Sequence, residues 1–188
     1  MSAFRSFIAI TLPAEVKSSI NQAVRQWKSL SDQVKWVPPD QYHLTLAFLG
    51  EVSQEQIPEI AEATAAQLIG LPPFTIQISG FGAFPSRNRA RVLWLGIARG
   101  TDSLQEAYRR VWSALQPFGF ASDGSFHPHV TLGRVKTSLG NLALTNVPSE
   151  ISEVQASFTV GQVELIKSEL LSAGPKYTQL HFMPLLGY

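Results

Sequence analysis

Apolar residues along this chain either run together, alternate, or recur at helical spacing, and the changes between these patterns mark out the elements. Residues 4–10 (FRSFIAI) form an apolar run of the length of a buried strand. Val16, Ile20, Ala23, Val24 and Trp27 then recur on one face, predicting an amphipathic helix over 13–30, with Thr11 where a cap belongs and Pro13 near the first turn. PPD at 38–40 breaks the chain before HLTLAFLG at 43–50, which reads as a strand. A second helix is predicted over 54–69, with Ile57, Ile60, Ala61, Ala65 and Leu68 on one side. Strand signals follow at 74–79 and 91–97. A third helix over 102–118 carries Leu104, Ala107, Tyr108, Val111 and Leu115. HVTLGR at 129–134 is again strand-like, and three more strand candidates lie around 153–160, 162–167 and 177–182.

The order strand, helix, His-headed strand occurs twice. His43 follows the first helix start by 30 residues (43 − 13) and His129 follows the third by 27 (129 − 102). Two copies are too few for a solenoid, so an internal duplication of a strand–helix–strand unit is the reading. The expected fold is α+β: duplicated units form two lobes of antiparallel sheet backed by helices, with a central cleft between the histidine strands. No linker separates independent domains, so residues 1–188 are expected to form one bilobal domain.

Within a strand, residues two apart share a face. His43 and Thr45 therefore point one way and Leu44, Leu46 and Phe48 the other, into a core; His129 and Thr131 are opposed to Val130 and Leu132 in the same manner. Strict alternation places Arg134 opposite His129, unless Gly133 ends the strand or forms a bulge.

Composition narrows the classes. With 45% apolar and 15% charged residues the chain can fill a core. A net charge of +1 provides no global field for polyanions, so any such binding relies on local placement of basic side chains. The absence of cysteine excludes disulfides and thiolate metal sites. No apolar run approaches the roughly 18–20 residues of a membrane span, and a cytoplasmic protein is expected.

Two imidazoles and two hydroxyls converging on a cleft suit phosphodiester chemistry. A neutral imidazole takes a proton from the nucleophile and a protonated one gives a proton to the leaving alkoxide, both forms being available near neutrality. Threonine hydroxyls can donate to the non-bridging oxygens, where negative charge grows. A lone His-x-Thr on a strand is more often structural. Composition alone predicts only roughly 0.04 such motifs with apolar residues at both intervening positions, so a matched pair outweighs that explanation. His127 and His129 in HPH suggest metal ligands, but with Asp123 as the nearest acidic candidate the set is short of a third and fourth ligand. No metal is expected; His127 reads as a loop residue shaping the site and His181 as structural. SRNRAR at 86–91 reads as a solvated turn more readily than as an RNA contact.

The segments WVPPDQYHLTLAFLGEV (36–52) and FHPHVTLGR (126–134) resemble the 2H phosphoesterases, specifically the bacterial RNA 2′,3′-cyclic phosphodiesterases, also called 2′-5′ RNA ligases. FRSFIAI, GFGAFPSRNRARVLWLGI and VELIKSELLSAGPKYTQL extend the likeness over nearly the whole chain. The resemblance implies hydrolysis of RNA 2′,3′-cyclic phosphate ends to 2′-phosphomonoesters. His43 would be the proton donor, His129 the proton acceptor, and Thr45 and Thr131 would hold the phosphate. Arg134 stands where the family places an arginine that contacts phosphate. No cofactor, metal or membrane is implied, and the chain is expected to act as a monomer on RNA or a related nucleotide. The alternatives are a small cyclic nucleotide or ADP-ribose cyclic phosphate as substrate, ATP-independent 2′-5′ RNA ligation by the reverse transesterification, and a non-catalytic RNA-binding module. ATP-driven ligation is disfavoured, because neither Lys-x-Asp-Gly nor Gly-Lys-Ser/Thr occurs.

Overall fold

A computed structural model describes residues 3–28, 32–122, 124–136, 151, 153–172 and 174–187. The elements in chain order are β1 (Ala3–Thr11), α1 (Ala14–Lys28), β2 (Val34–Trp36), β3 (His43–Ser53), α2 (Gln56–Leu68), β4 (Phe74–Phe84), β5 (Val92–Arg99), α3 (Thr101–Leu115), β6 (His129–Val135), β7 (Gln155–Val160), β8 (Gln162–Leu171) and β9 (Gly174–Pro184). α1, α2 and α3 fall where the 3.6-residue periodicity places them. Thr11 is not a helix cap. It closes β1 and its hydroxyl donates to the buried carboxylate of Glu164 at 2.5 Å, while the Pro13 carbonyl accepts the first helical bond from Lys17.

All strands join one antiparallel sheet in the order β7-β4-β5-β6-β3-β1-β8-β9, with β2 beside β6. The duplication is visible in this path: β1 and β3 pair in one half as β5 and β6 pair in the other. The two histidine strands are therefore direct neighbours in a curled sheet. They meet through the single pair Leu44–Val130 at the junction of the halves. So narrow a junction lets the halves curl toward one another, with the histidines on the concave side.

Each helix of the duplicated unit covers the opposite half of the sheet. α1 follows β1, yet its buried Val16, Ile20, Val24 and Trp27 pack with Leu93 and Leu95 of β5 and Val130 and Leu132 of β6. α3 follows β5, yet Leu104, Ala107, Val111 and Leu115 pack with Ile8 and Ile10 of β1 and Leu44 and Leu46 of β3, joined by α2. Burying each such Ile, Val or Leu contributes about 1.5–3 kcal/mol of transfer free energy. Through this exchange, the apolar side of each histidine strand rests on a helix contributed by the other unit.

Candidate active site

Both histidine strands follow the predicted alternation for four residues and then break it in the same way. In β3, Ile8 pairs with Ala47 and Ala9 with Thr45, so Leu46 has no partner of its own. In β6, Leu93 pairs with Gly133 and Trp94 with Thr131, leaving out Leu132. Each is a β-bulge that puts two consecutive residues on the core side and reverses the parity beyond. Two consequences follow. Phe48, expected in the core, is instead 69% exposed and lines the cleft. Arg134 is brought to the same side as His129 and Thr131. Gly133 is required at its bulge by close approach, since a Cβ there would lie 2.6 Å from Val34 Cγ1 and 3.1 Å from Trp36 Cε3.

The cleft holds about 460 Å³ and brings together all five expected residues, His43, Thr45, His129, Thr131 and Arg134. The imidazoles are held alike. His43 Nδ1 donates to the carbonyl of Gln41 and His129 Nδ1 to that of His127, both at 2.7 Å and both two residues upstream. A neutral ring so engaged carries its proton on Nδ1 and leaves the Nε2 lone pair for chemistry. The rings are braced by aromatics. Phe7 lies 4.9 Å and Tyr177 5.4 Å from His43; Phe84 lies 5.1 Å and Trp94 6.2 Å from His129. A Cβ at Gly82 would overlap the Trp94 indole, so that glycine gives the ring its seat. Gln41 also ties the site to the last hairpin, its side-chain amide donating to the Pro175 carbonyl at 2.6 Å.

Burial lowers the pKa of both imidazoles from the ordinary 6.5, against the raising effect of the carbonyl each one bonds. Neighbouring cations add to the depression. His43 feels His129, Lys17 and Arg134; His129 feels Arg134 and His127. Both rings are accordingly neutral at pH 7 in the empty cleft, and a bound phosphate, as an anion among cations, would favour their protonation.

The remaining sequence candidates sort clearly. His127 contributes its carbonyl, as described. Arg87 caps a turn, donating to the Phe81 carbonyl at 2.8 Å and lying over that ring. His181 lines a separate cavity at the far end of the sheet. Asp123 lies outside the described residues, among which no group of three His, Cys, Asp or Glu is placed to hold a metal ion. No helix among them is long and apolar enough to cross a membrane. Sequence reasoning missed the two orienting carbonyls, Tyr177, and β2. The HPH and DQYH contexts carry no signal for the carbonyls, because the i−2 bond depends on ring rotation.

With this geometry in place, comparison with known proteins is decisive. The family described as LigT-like phosphoesterase matches twice, over residues 10–94 and 95–177. The chain belongs to that family. The two matches meet inside β5 and cover both His-x-Thr strands, in keeping with the duplication. Among curated relatives, the RNA 2′,3′-cyclic phosphodiesterase of Thermotoga maritima is 33% identical over 177 residues, covering 94% of this chain and 93% of its own. That of Methanothermobacter thermautotrophicus is 33% identical over 177 residues, covering 94% and 96%. Among solved structures, E. coli LigT complexed with 3′-AMP superposes with a TM-score of 0.79 at 31% identity, covering 98% of this chain and 99% of that one. A Thermus thermophilus protein gives 0.81 at 27%, covering 97% and 98%. The protein is thus an enzyme of the phosphoesterase kind.

Proposed function

We propose that this phosphoesterase hydrolyses RNA 2′,3′-cyclic phosphate ends to 2′-phosphomonoesters by paired-histidine acid–base catalysis. The observation that carries the reading is the matched pair of imidazoles, each with Nδ1 tied to a backbone carbonyl and a threonine two residues on, in one cleft with Arg134. Relatives named RNA 2′,3′-cyclic phosphodiesterase, about a third identical over almost the whole chain, supply the substrate class. Thr45, Thr131 and Arg134 hold the non-bridging oxygens, where charge develops as the phosphorus becomes five-coordinate. His129 Nε2 takes a proton from water as its oxygen bonds to phosphorus. His43 Nε2–H protonates the 3′ oxygen as the P–O3′ bond breaks, leaving a 3′-hydroxyl and a 2′-phosphate. The imidazoles end the turnover with their protonation states exchanged, and solvent restores them.

The order of the two roles rests on family resemblance. Burial, with His129, Lys17 and Arg134 nearby, disfavours the charged form of His43, so binding of the anionic substrate has to place the donor proton on it. No step calls for a metal or cofactor, and every residue of the site comes from one chain, so a monomer suffices. An RNA oligonucleotide ending in a 2′,3′-cyclic phosphate, incubated with the protein in EDTA, tests the reading. A 2′-phosphate end is expected. A 3′-phosphate product, or no turnover by folded protein with or without added divalent metal, overturns it.

A further inference from the structure

The cleft contains more positive charge than one cyclic phosphate needs. Lys35 of β2 is the direct cross-strand partner of Arg134 of β6, which puts their side chains on one face with Cβ atoms roughly 4.5–5.5 Å apart. Both line the cavity of the two histidines, and among the described residues no carboxylate lines it with them. Among the described residues neither makes an ion pair, and both are exposed at the cavity mouth. By contrast Lys17, the other lysine near His43, is occupied, donating to the Asp40 carbonyl at 2.9 Å. A 2′,3′-cyclic phosphate carries one negative charge. Arg134 answers it beside Thr131, on the strand of His129. Lys35 is left as a second, uncompensated cation one strand further out.

We propose that Lys35 forms a subsite for the next phosphodiester of an RNA chain, so that the enzyme favours oligonucleotide ends over cyclic mononucleotides. The inference rests on the cyclic phosphodiesterase reading and deepens it. A lysine suits this position because a mobile point charge on a four-carbon stem follows a backbone phosphate without fixing its geometry, whereas the guanidinium next to it orients the reacting group. Such a contact carries no sequence information and acts on any RNA end. It is also short in reach, so a single added nucleotide should capture most of the gain.

The test compares a cyclic mononucleotide with a dinucleotide ending in the same 2′,3′-cyclic phosphate, using wild type, Lys35→Gln and Lys35→Arg. Wild type should prefer the dinucleotide in kcat/KM. Lys35→Gln should remove most of that preference while leaving mononucleotide turnover within about twofold, and Lys35→Arg should restore it. The slope of log kcat/KM against log salt for the dinucleotide should fall by about 0.7–1 in Lys35→Gln, the amount one phosphate contact contributes. Equal losses on both substrates, or no loss on either, would overturn the subsite. Binding of a 3′-phosphorylated dinucleotide and mononucleotide, followed by calorimetry, separates the two levels. If Lys35→Gln weakens only the dinucleotide while no cyclic phosphate is turned over, the subsite stands and the activity reading falls. If turnover is normal and Lys35→Gln binds both ligands as wild type does, the reverse holds.

Discussion

Gly133→Ala isolates the device that aims Arg134 into the cleft. The added methyl would sit 2.6 Å from Val34 Cγ1, 3.1 Å from Trp36 Cε3 and 3.3 Å from the Lys35 carbonyl, all on β2. Val34 is 5% exposed, packed under α1, and has no space to turn away. β2 has only three residues, so the overlap is relieved by pushing it off β6. Overpacking of this kind costs about 1–3 kcal/mol. At roughly 2–4 °C per kcal/mol for a chain of this size, Tm should fall by roughly 2–12 °C, read by calorimetry. Activity should suffer more than stability, because β2 carries Trp36 of the cleft wall and pairs directly with Arg134. A displacement near 1 Å at such a position costs on the order of 10²-fold in turnover. The bulge itself does not demand glycine: the equivalent residue in the other half is Ala47, 2% exposed and well accommodated. Wild-type Tm and kcat in Gly133→Ala would show that the approach of β2 does not hold the arginine in place.

Five further outcomes can be checked separately. His43→Ala and His129→Ala should each lower turnover on the order of 10²–10⁴-fold with folding nearly intact by circular dichroism, and a variant with wild-type turnover removes that ring from the mechanism. NMR titration of the free protein should place both imidazoles below 6.5, and inorganic phosphate should raise them. Because the unfolded rings bind protons that the folded ones refuse, stability should fall as pH drops from 6.5 toward the folded values; a His43→Asn/His129→Asn double variant should lose that part of the slope in urea titrations. Tyr42→Phe should stabilise the fold by about 1 kcal/mol, since the Tyr42 hydroxyl is buried without a partner among the described residues and its pKa is pushed up to about 12 by burial. Ile20→Ala should cost about 2–5 kcal/mol, and hydrogen exchange should rise first in β5 and β6 rather than in β1, because α1 supports the opposite half.

Periodicity located the helices because each buries a single stripe, and it located the His-x-Thr strands because alternation holds from His43 to Leu46 and from His129 to Leu132. It failed at the next residue. A bulge depends on what the neighbouring strand does, and nothing in LTLAF or VTLGR marks the missed partner; only Gly133 hinted at one. Phe48 was accordingly assigned to the core and found in the cleft. The exchange of α1 and α3 between halves was equally invisible, because an apolar stripe states that a surface is covered and not which one. Thr11 has the right chemistry for a cap, but the helix begins three residues later at Ala14, and Thr11 instead ends β1 with its hydroxyl donating to Glu164.

The duplicated units differ most where they matter most. Both bulges turn the fifth residue after the histidine into the cleft, and the first unit places Phe48 there while the second places Arg134. Two identical halves would give a cleft with interchangeable ends, in which neither imidazole could be distinguished as acid or base. An aromatic ring at one position and a guanidinium at its counterpart give the cleft a direction. On the proposed mechanism, the anionic part of a bound nucleotide is drawn toward Arg134, and its apolar part is left facing Phe48. Orientation then decides which ester oxygen faces which imidazole. On the proposed mechanism, the fold supplies two matched imidazoles, and this one pair of non-equivalent side chains would set which of them donates and which accepts.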